Sequence, residues 1–218
     1  MIKVSVPITD LIWLLERQLS SFFSLNETER EVIEHQLPVV LGRVDTCLSC
    51  KVNGYMGTVG GGIFSPYHTS QYLIFLYYLS NSIYKNCDDG DLAGKIYYLN
   101  KIMNGVDIFY QVELPSRFGA EHPVGSVMGR AQYGEDFYFD QNCTVGSTAD
   151  KDNNYIHPVI GNNVCMYANS MILGRSIIGD NVNIGSGTII KNQDVPSNST
   201  VFGVSPNLII KNSYTKYY

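Results

Sequence analysis

The sequence predicts an α+β protein in which a helical N-terminal domain precedes a parallel β-helix. Two observations support this fold class. Large aliphatic side chains recur every six residues from Ile160 to Ile190, whereas apolar side chains before residue 105 recur at helical spacing. The composition then changes to glycine, valine, isoleucine and asparagine. We therefore assign residues 1–105 to a helical domain, 106–211 to the β-helix and 212–218 to a flexible tail.

The six-residue period is the stronger of the two signals. It fits neither a helix nor a single strand, but it is typical of a parallel β-helix, where each hexad forms one face of a coil and its aliphatic side chain points to the axis. The six positions are Ile160, Met166, Ile172, Ile178, Ile184 and Ile190. Gly161, Gly179 and Gly185 follow three of them, and we expect these glycines to turn corners with positive φ. An ordinary β-sandwich is the alternative.

An earlier set of hexads is out of phase with the first. Its positions are Val127, Tyr133, Phe139 and Val145. Counting on in sixes from Val145 misses Ile160 by three residues, so the phase breaks within the polar run 147–155. A polar insertion cannot be held in the core, so we expect it to leave the coil as a loop, a common place for binding sites.

Four helices are predicted in the N-terminal domain. They cover residues 9–23, about 26–38, 67–85 and 91–104. Thr9 is the expected cap of the first, Asn26 with Glu29 a capping box for the second, Ser65 with Pro66 the start of the third, and Gly105 the end of the fourth. Pro38 is expected to end or kink the second helix, leaving 42–64 irregular, with a turn at Gly60–Gly62.

Composition excludes several classes of protein. A net charge of −5 and a pI of about 5.3 argue against nucleic-acid binding, which needs a basic face. The sequence contains no run of 18 apolar residues, the length needed to span a membrane. Five cysteines, an odd number, suggest free thiols in a reducing cytoplasm. Cys47 and Cys50 form a lone C-x-x-C without the second pair of a zinc site, so no metal is expected.

Two histidines flank the predicted loop and form the candidate catalytic set with one aspartate. His157 follows His122 by 35 residues, and Asp107 precedes His122 by 15. In a coil of about 18 residues per turn, such spacings bring residues of neighbouring coils to one edge. A carboxylate beside a histidine stabilises the imidazolium that forms when the histidine deprotonates an alcohol. Both histidines precede prolines, and purely structural roles at coil corners remain the alternative.

These residues resemble the serine acetyltransferases of the left-handed β-helix, or hexapeptide-repeat, acyltransferase superfamily. The similarity rests on Val106–Ile108, on Glu121–His122 followed by Gly125, Val127, Gly129 and Ala131, on His157-Pro158-x-Ile160-Gly161, and on Val195–Pro196 with Gly203-Val204-x-Pro206. It covers residues 106–211 well. The helical half is similar in layout only.

The resemblance implies roles for these residues. His122 would be the general base, Asp107 its partner and His157 an acceptor-site histidine. Acetyl-CoA, the co-substrate, would lie in a groove between coils of a homotrimer, and two trimers could join through the helical domains. The residues that would hold acetyl-CoA are Gly146, Ser147, Ala168, Ser186 and Lys191.

The sequence departs from that family where the acceptor would bind. Ile156 stands where the serine enzymes carry an arginine that clamps a carboxylate, and Glu121 replaces an aspartate. The family's Asp-Pro-Ala segment is absent, and Tyr155 could offer a stacking face to a sugar. We therefore predict an O-acetyltransferase acting on a carbohydrate hydroxyl of a capsular or other surface polysaccharide. Serine acetylation and an inactive β-helix scaffold are the alternatives.

Overall fold

The computed structural model describes residues 2–49 and 62–213 of the chain. They fall in two compact units, Met1–Gln111 and Val112–Tyr218. Three features of the sequence lie outside the described residues: Cys50 of the C-x-x-C pair, Gly60 and Gly61 of the predicted turn, and residues 214–218 of the predicted tail. The left-handed parallel β-helix predicted for the second half is confirmed, as are four helices in the first.

The first unit is built around one buried helix. Its helices are α1 (Ile8–Ser20), α2 (Glu27–Leu48), α3 (Thr69–Cys87) and α4 (Gly90–Asn104), with a short parallel pair of strands, β1 (Lys3–Val4) and β2 (Ile63–Phe64). Helix α3 packs against α2 and α4, and every residue from Ser70 to Ile83 is buried. Helix α3 is thus covered on all sides over this stretch. Among the described residues, no helix is both long and apolar enough to cross a bilayer.

The predicted end of the second helix near Pro38, with an irregular segment from residue 42, is wrong. Helix α2 continues through Pro38 for ten more residues, to Leu48. A proline inside a helix removes one backbone hydrogen bond. That loss is offset because the apolar side chains on both sides of Pro38 are buried where α2 packs against α3. They are Ile33, Leu37, Val40, Leu41 and Val44.

The structure confirms two of the predicted helix caps and contradicts a third. Asn26 Oδ1 accepts from the Glu29 N–H and Glu29 Oε2 accepts from the Asn26 N–H, both at 2.9 Å, which confirms the capping box. Gly105, with φ of 62°, ends α4 as expected. Thr9 does not cap α1, because that helix starts one residue earlier, after Pro7.

The start of α3 also lies later than predicted. Ser65 and Pro66 belong to a separate turn in which Ser65 Oγ accepts from the Tyr67 N–H. The helix itself begins at Thr69, after His68, whose side chain makes no capping hydrogen bond.

The second unit is a coil with three faces, and the strands within each face are parallel except for β17 (Asn207–Lys211). The first consists of β3 (Phe118–Ala120), β6 (Phe137–Phe139), β11 (Val164–Met166), β14 (Val182–Ile184) and β16 (Ser199–Val204). The second consists of β4 (Val127–Met128), β7 (Thr144–Gly146), β12 (Met171–Leu173) and β15 (Ile189–Lys191). The third consists of β5 (Gln132–Tyr133), β10 (Val159–Ile160) and β13 (Ile177–Ile178). Strand β17 pairs antiparallel with β16.

The predicted aliphatic positions form stacked columns inside the coil. All six positions from Ile160 to Ile190 are at most 2% exposed, which confirms the hexad assignment. One position of the earlier set is wrong: Val127 is 40% exposed, and Met128 occupies the core in its place. Met128 pairs with Val145, which pairs with Ile172, which pairs with Ile190. Val127 carries a suitable side chain, but strand alternation points it outward.

The register shows what interrupts the period. Ile160 pairs with Ile178, 18 residues later, but Tyr133 pairs with Ile160, 27 residues later. The nine additional residues match the length of the polar run 147–155. Here β8 (Thr148–Ala149) and β9 (Tyr155–Ile156) form an antiparallel hairpin whose turn is closed by backbone bonds to Asp150 Oδ1. The predicted excursion from the coil is confirmed.

The three glycines that follow hexad aliphatics serve a different purpose from the one predicted. Gly161, Gly179 and Gly185 do not have positive φ, so that prediction is wrong for all three. A Cβ on Gly161 would lie 2.7 Å from the backbone of Gly179, and one on Gly134 would lie 2.4 Å from the backbone of Gly161. These glycines are needed because successive coils approach closely at this corner.

Asparagine takes many of the positive-φ corners, and other glycines such as Gly174 and Gly187 take some of the rest. Six asparagines of the coil adopt left-handed backbone conformations, which asparagine tolerates better than most residues. They are Asn142, Asn163, Asn169, Asn181, Asn192 and Asn198. Their side chains bond from coil to coil: Asn163 Nδ2 donates to Asn181 Oδ1 at 3.1 Å, and Asn181 Nδ2 to Asn198 Oδ1 at 2.9 Å.

Candidate functional site

His122 lies at a corner directly after β3 and faces solvent. Its φ is 48°, and 78% of its side chain is exposed. The preceding residue continues the sheet, since the Glu121 N–H donates to Phe139 O at 3.1 Å. Glu121 Oε1 lies 3.9 Å from His122 Nε2. The imidazole is therefore both accessible and next to a carboxylate, as a general base requires.

A buried tyrosine and a second carboxylate support Glu121. The Tyr138 hydroxyl donates to Glu121 Oε2 at 2.5 Å, and only 1% of Tyr138 is exposed. The same hydroxyl also bonds Asp140, which follows β6 and accepts from the Ala168 N–H. Glu121 and Asp140 meet because they follow paired strands at the same end. Burial and the neighbouring Glu121 carboxylate raise the pKa of Asp140.

Replacing Asp140 with asparagine is expected to stabilise the fold at neutral pH. A carboxyl group with a raised pKa favours the folded state below its unfolded pKa, about 3.9, and this contribution is lost as pH rises through the folded value. Urea unfolding of wild type and D140N from pH 4 to pH 7 measures the difference. The stability of D140N should fall less steeply over this range.

Asp152→Asn provides the matched control, because Asp152 is exposed in the hairpin turn. D152N should follow the wild-type pH dependence. Equal slopes for D140N and wild type would contradict the raised pKa.

Asp107, the predicted partner of His122, lies in the helical unit. The Tyr97 hydroxyl donates to its Oδ1 at 2.7 Å, and Lys101 Nζ to its Oδ2 at 2.6 Å. The hydrogen bond that Lys101 donates to Asp107 raises the pKa of Lys101. The pairing of Asp107 with His122 stays a prediction. Glu121 is the carboxylate that the structure places beside the imidazole.

His157 lines a cleft of about 430 Å³ in the β-helix. The cleft is formed by two chain segments, 130–132 and 155–159, so it contains three of the four predicted acceptor-side residues, Tyr155, Ile156 and His157, but not Glu121. Tyr155 is 72% exposed. Glu121 and His122 are not among the lining residues, so the cleft does not unite the two predicted histidines.

The predicted acetyl-CoA residues border the second face of the coil. Gly146 pairs with Leu173, which pairs with Lys191, so these positions lie in one column at the end of the face. Ala168 and Ser186 occupy equivalent turns of successive coils, where the Gly187 N–H donates to Ala168 O at 2.9 Å. Ser147 and Ser186 are exposed. Their role in binding acetyl-CoA stays a prediction.

The cysteines of the coil are poor nucleophiles. Cys143 and Cys165 have free, buried thiols, and burial raises the pKa of both. The reactive form of cysteine is the thiolate, which a raised pKa disfavours. Within residues 2–49 and 62–213, no three His, Cys, Asp or Glu side chains group in a way that could hold a metal ion.

Sequence reasoning missed Tyr138, Asp140 and Arg130. Tyr138 and Asp140 follow Glu121 by about one coil, so counting one turn ahead from the candidate site would have found them. Arg130 joins the His157 cleft only through the 27-residue register, which requires the length of the hairpin to be known.

Comparison with known proteins supports the fold and the class of repeat. The family described as "Bacterial transferase hexapeptide (six repeats)" matches residues 157–192. The serine acetyltransferase of Synechococcus elongatus is 34% identical over 115 residues, which is 52% of this chain and 46% of that protein. That of Staphylococcus epidermidis is 33% identical over 139 residues, 63% of each chain. The chain thus spans less than two thirds of the length of these relatives.

Solved structures of serine acetyltransferases have the same fold. The Neisseria gonorrhoeae enzyme aligns with a TM-score of 0.67 at 23% identity, covering 85% of this chain and 72% of that one. The Vibrio cholerae enzyme aligns with a TM-score of 0.64 at 24% identity, covering 83% and 70%. Residues 157–192 therefore carry hexapeptide repeats, and the chain shares the left-handed β-helix fold of these solved serine acetyltransferases.

Proposed function

We propose that this protein is an acetyl-CoA-dependent O-acetyltransferase with His122 as general base. The observation that carries the proposal is the exposed imidazole at the left-handed corner after β3, beside a carboxylate that a buried tyrosine holds in place. Similarity to serine acetyltransferases supports the same reaction. A solved serine acetyltransferase in complex with CoA also shares the fold, with a TM-score of 0.66 at 20% identity.

In the proposed reaction, acetyl transfer is direct. His122 removes the acceptor's hydroxyl proton while the oxygen attacks the thioester carbonyl carbon. Backbone N–H groups of the coil stabilise the oxyanion, and the C–S bond then breaks. The imidazolium returns the proton to the leaving sulfur, so CoA departs as a thiol. Glu121 favours the imidazolium between these steps, and no cysteine nucleophile is needed.

Acetyl-CoA is proposed to lie along the second face of the coil, against Gly146, Ser147, Ala168, Ser186 and Lys191. Small residues at these positions would let the pantetheine approach backbone groups, and Lys191 is exposed and cationic. Because His122 does not line the cleft of His157, the two histidines would serve one acceptor if another copy of the chain completed the site. The homotrimer implied by the resemblance fits this arrangement.

Two acceptors are in question. The similarity to serine acetyltransferases favours L-serine, the alternative in the sequence prediction, and supports no polysaccharide acceptor. One observation favours a sugar hydroxyl as the second candidate: Ile156 brings an alkyl side chain to the cleft where a cation was expected.

The experiment is an assay of CoA release from acetyl-CoA with L-serine, neutral sugars and acidic sugars as separate acceptors. Transfer to any of them, with the acetylated product identified by mass spectrometry, supports the proposed function. Calorimetry with CoA tests the binding site separately. Absence of both transfer and CoA binding would overturn the proposal in favour of an inactive scaffold.

A further inference from the structure

Two carboxyl groups close to His122 meet at a single hydroxyl group. Glu121 precedes His122, Asp140 follows β6, and the hydroxyl of the buried Tyr138 bonds to both carboxyl groups. A phenol carries one proton and can donate it to only one of them. The second hydrogen bond therefore needs a second proton, which one of the two carboxyl groups must supply.

The contacts of Glu121 indicate that it is the ionised member of the pair. The Tyr138 hydroxyl donates to Glu121 Oε2 at 2.5 Å, a length typical of an O–H donor that bonds to an ionised oxygen. The Glu121 side chain is also 23% exposed, and its Oε1 lies 3.9 Å from His122 Nε2. Since the Tyr138 proton goes to Glu121, the Tyr138 oxygen accepts from Asp140.

The position of Asp140 is fixed by its backbone. The Asp140 N–H donates to Met166 O at 3.0 Å, and Asp140 O accepts from Ser126 Oγ at 2.7 Å. The side chain of Asp140 accepts from the Ala168 N–H. A protonated carboxyl group satisfies both of its neighbours, because one oxygen accepts from Ala168 while the O–H donates to Tyr138.

The surroundings of Asp140 favour its protonated form. Burial, and then the Glu121 carboxylate, raise the pKa of Asp140. The other titratable groups that interact with it are His122, Tyr138, Cys143 and Cys165. Both thiols have raised pKa values themselves, so they bring no charge at neutral pH. A charge on His122 lowers the pKa of Asp140, but burial and Glu121 have larger effects.

We propose that Asp140 holds the one proton that it shares with Glu121 through the Tyr138 hydroxyl, and that Tyr138 and Asp140 are positioning residues for His122. Their effect on His122 passes through Glu121, which stays ionised and oriented beside the imidazole. This use in catalysis rests on the proposed acetyltransferase function, whereas the placement of the proton can be measured without turnover.

Infrared difference spectroscopy tests where the proton lies. A protonated carboxyl group has a carbonyl stretching band that an ionised carboxylate lacks. The difference spectrum of wild type minus D140N should contain this band at pH values where an ordinary aspartate, with a pKa of about 3.9, is ionised. D152N removes an exposed carboxyl group of the hairpin and should give no such band. Absence of the band from the D140N difference spectrum would overturn the placement of the proton.

Kinetics tests whether the hydrogen bonds serve His122. Y138F keeps the buried ring and removes the hydroxyl, so kcat should fall roughly 10-fold while KM for acetyl-CoA does not change. D140N keeps an N–H donor toward Tyr138 and should retain more of the wild-type kcat than D140A. Y98F is the matched control, since Tyr98 is 53% exposed on α4, and it should keep the wild-type kcat.

The two measurements separate this inference from the proposed function. A folded Y138F protein with the wild-type kcat, or equal kcat values for D140N and D140A, would overturn the positioning role. The circular dichroism spectrum of each variant checks its fold. If no acceptor is acetylated, the proposed function fails, and the infrared difference spectrum still decides the placement of the proton.

Discussion

Replacing His122 with alanine is expected to lower the rate of acetyl transfer by roughly 10²- to 10⁴-fold, the usual contribution of a general base. The reaction needs a group that accepts the hydroxyl proton as the carbon–oxygen bond forms. His122 is exposed to receive it, and Glu121 lies 3.9 Å from its Nε2 to stabilise the resulting charge. Steady-state kcat with saturating acetyl-CoA measures the loss.

Two controls separate this loss from a folding defect. H122A should keep the wild-type circular dichroism spectrum, because an exposed side chain contributes little to the core. Its affinity for CoA should also persist. His35→Ala removes another exposed histidine, on α2, and should leave kcat unchanged. A folded H122A protein with wild-type activity would remove His122 from the mechanism.

The largest expected effect on stability comes from Ile172→Ala. Ile172 is fully buried and pairs in register with Val145 on one side and Ile190 on the other. Because both neighbours are fixed by parallel sheet hydrogen bonds, the coil cannot collapse readily around the space that is left. The free energy of unfolding should fall by about 2–5 kcal/mol. Urea unfolding at fixed protein concentration measures it.

Ile177→Ala is the matched control for this substitution. Ile177 lies only five positions further along the chain, but its side chain points out of the coil and is 52% exposed. Its loss should change stability by no more than about 0.5 kcal/mol. Similar losses for the two variants would mean that stability does not depend on the stacked column.

The sequence predicted the coil well because its core repeats. Each buried aliphatic side chain from Ile160 to Ile190 is stacked on equivalent side chains in neighbouring coils. The requirement for a packed core therefore imposes a six-residue period on the sequence. The phase was misplaced by one at Val127 because valine and methionine are both suited to the core. Strand alternation places Met128, and not Val127, in the core, but a strand of only two residues hardly reveals that alternation in the sequence.

The helical boundaries were less predictable for a different reason. Pro38 is a strong local signal, but packing of α2 against α3 outweighs one missing hydrogen bond. By contrast, the capping box of Asn26 and Glu29 could be predicted because it depends only on neighbouring residues. Local rules failed where burial between helices stabilises the chain more than a local signal destabilises it.

The residues of the candidate site also differ in whether a local pattern in the sequence could identify them. His122, His157 and Glu121 were found from motif and spacing within one segment. Tyr138 and Arg130 were not, since each meets the other site residues across coils and neither belongs to a recognisable motif. Residues that meet only through sheet register cannot be found without knowing that register.

The nine-residue hairpin between β7 and β10 has a consequence for how such a protein can change. It adds Tyr155 and Ile156 to the cleft, yet the columns of the core pass it undisturbed, with Val145 still opposite Ile172. Substitutions and length changes in the hairpin can therefore alter the lining of the cleft at little cost to folding. The stacked columns hold the coil together, and the hairpin is free to diverge in sequence and length.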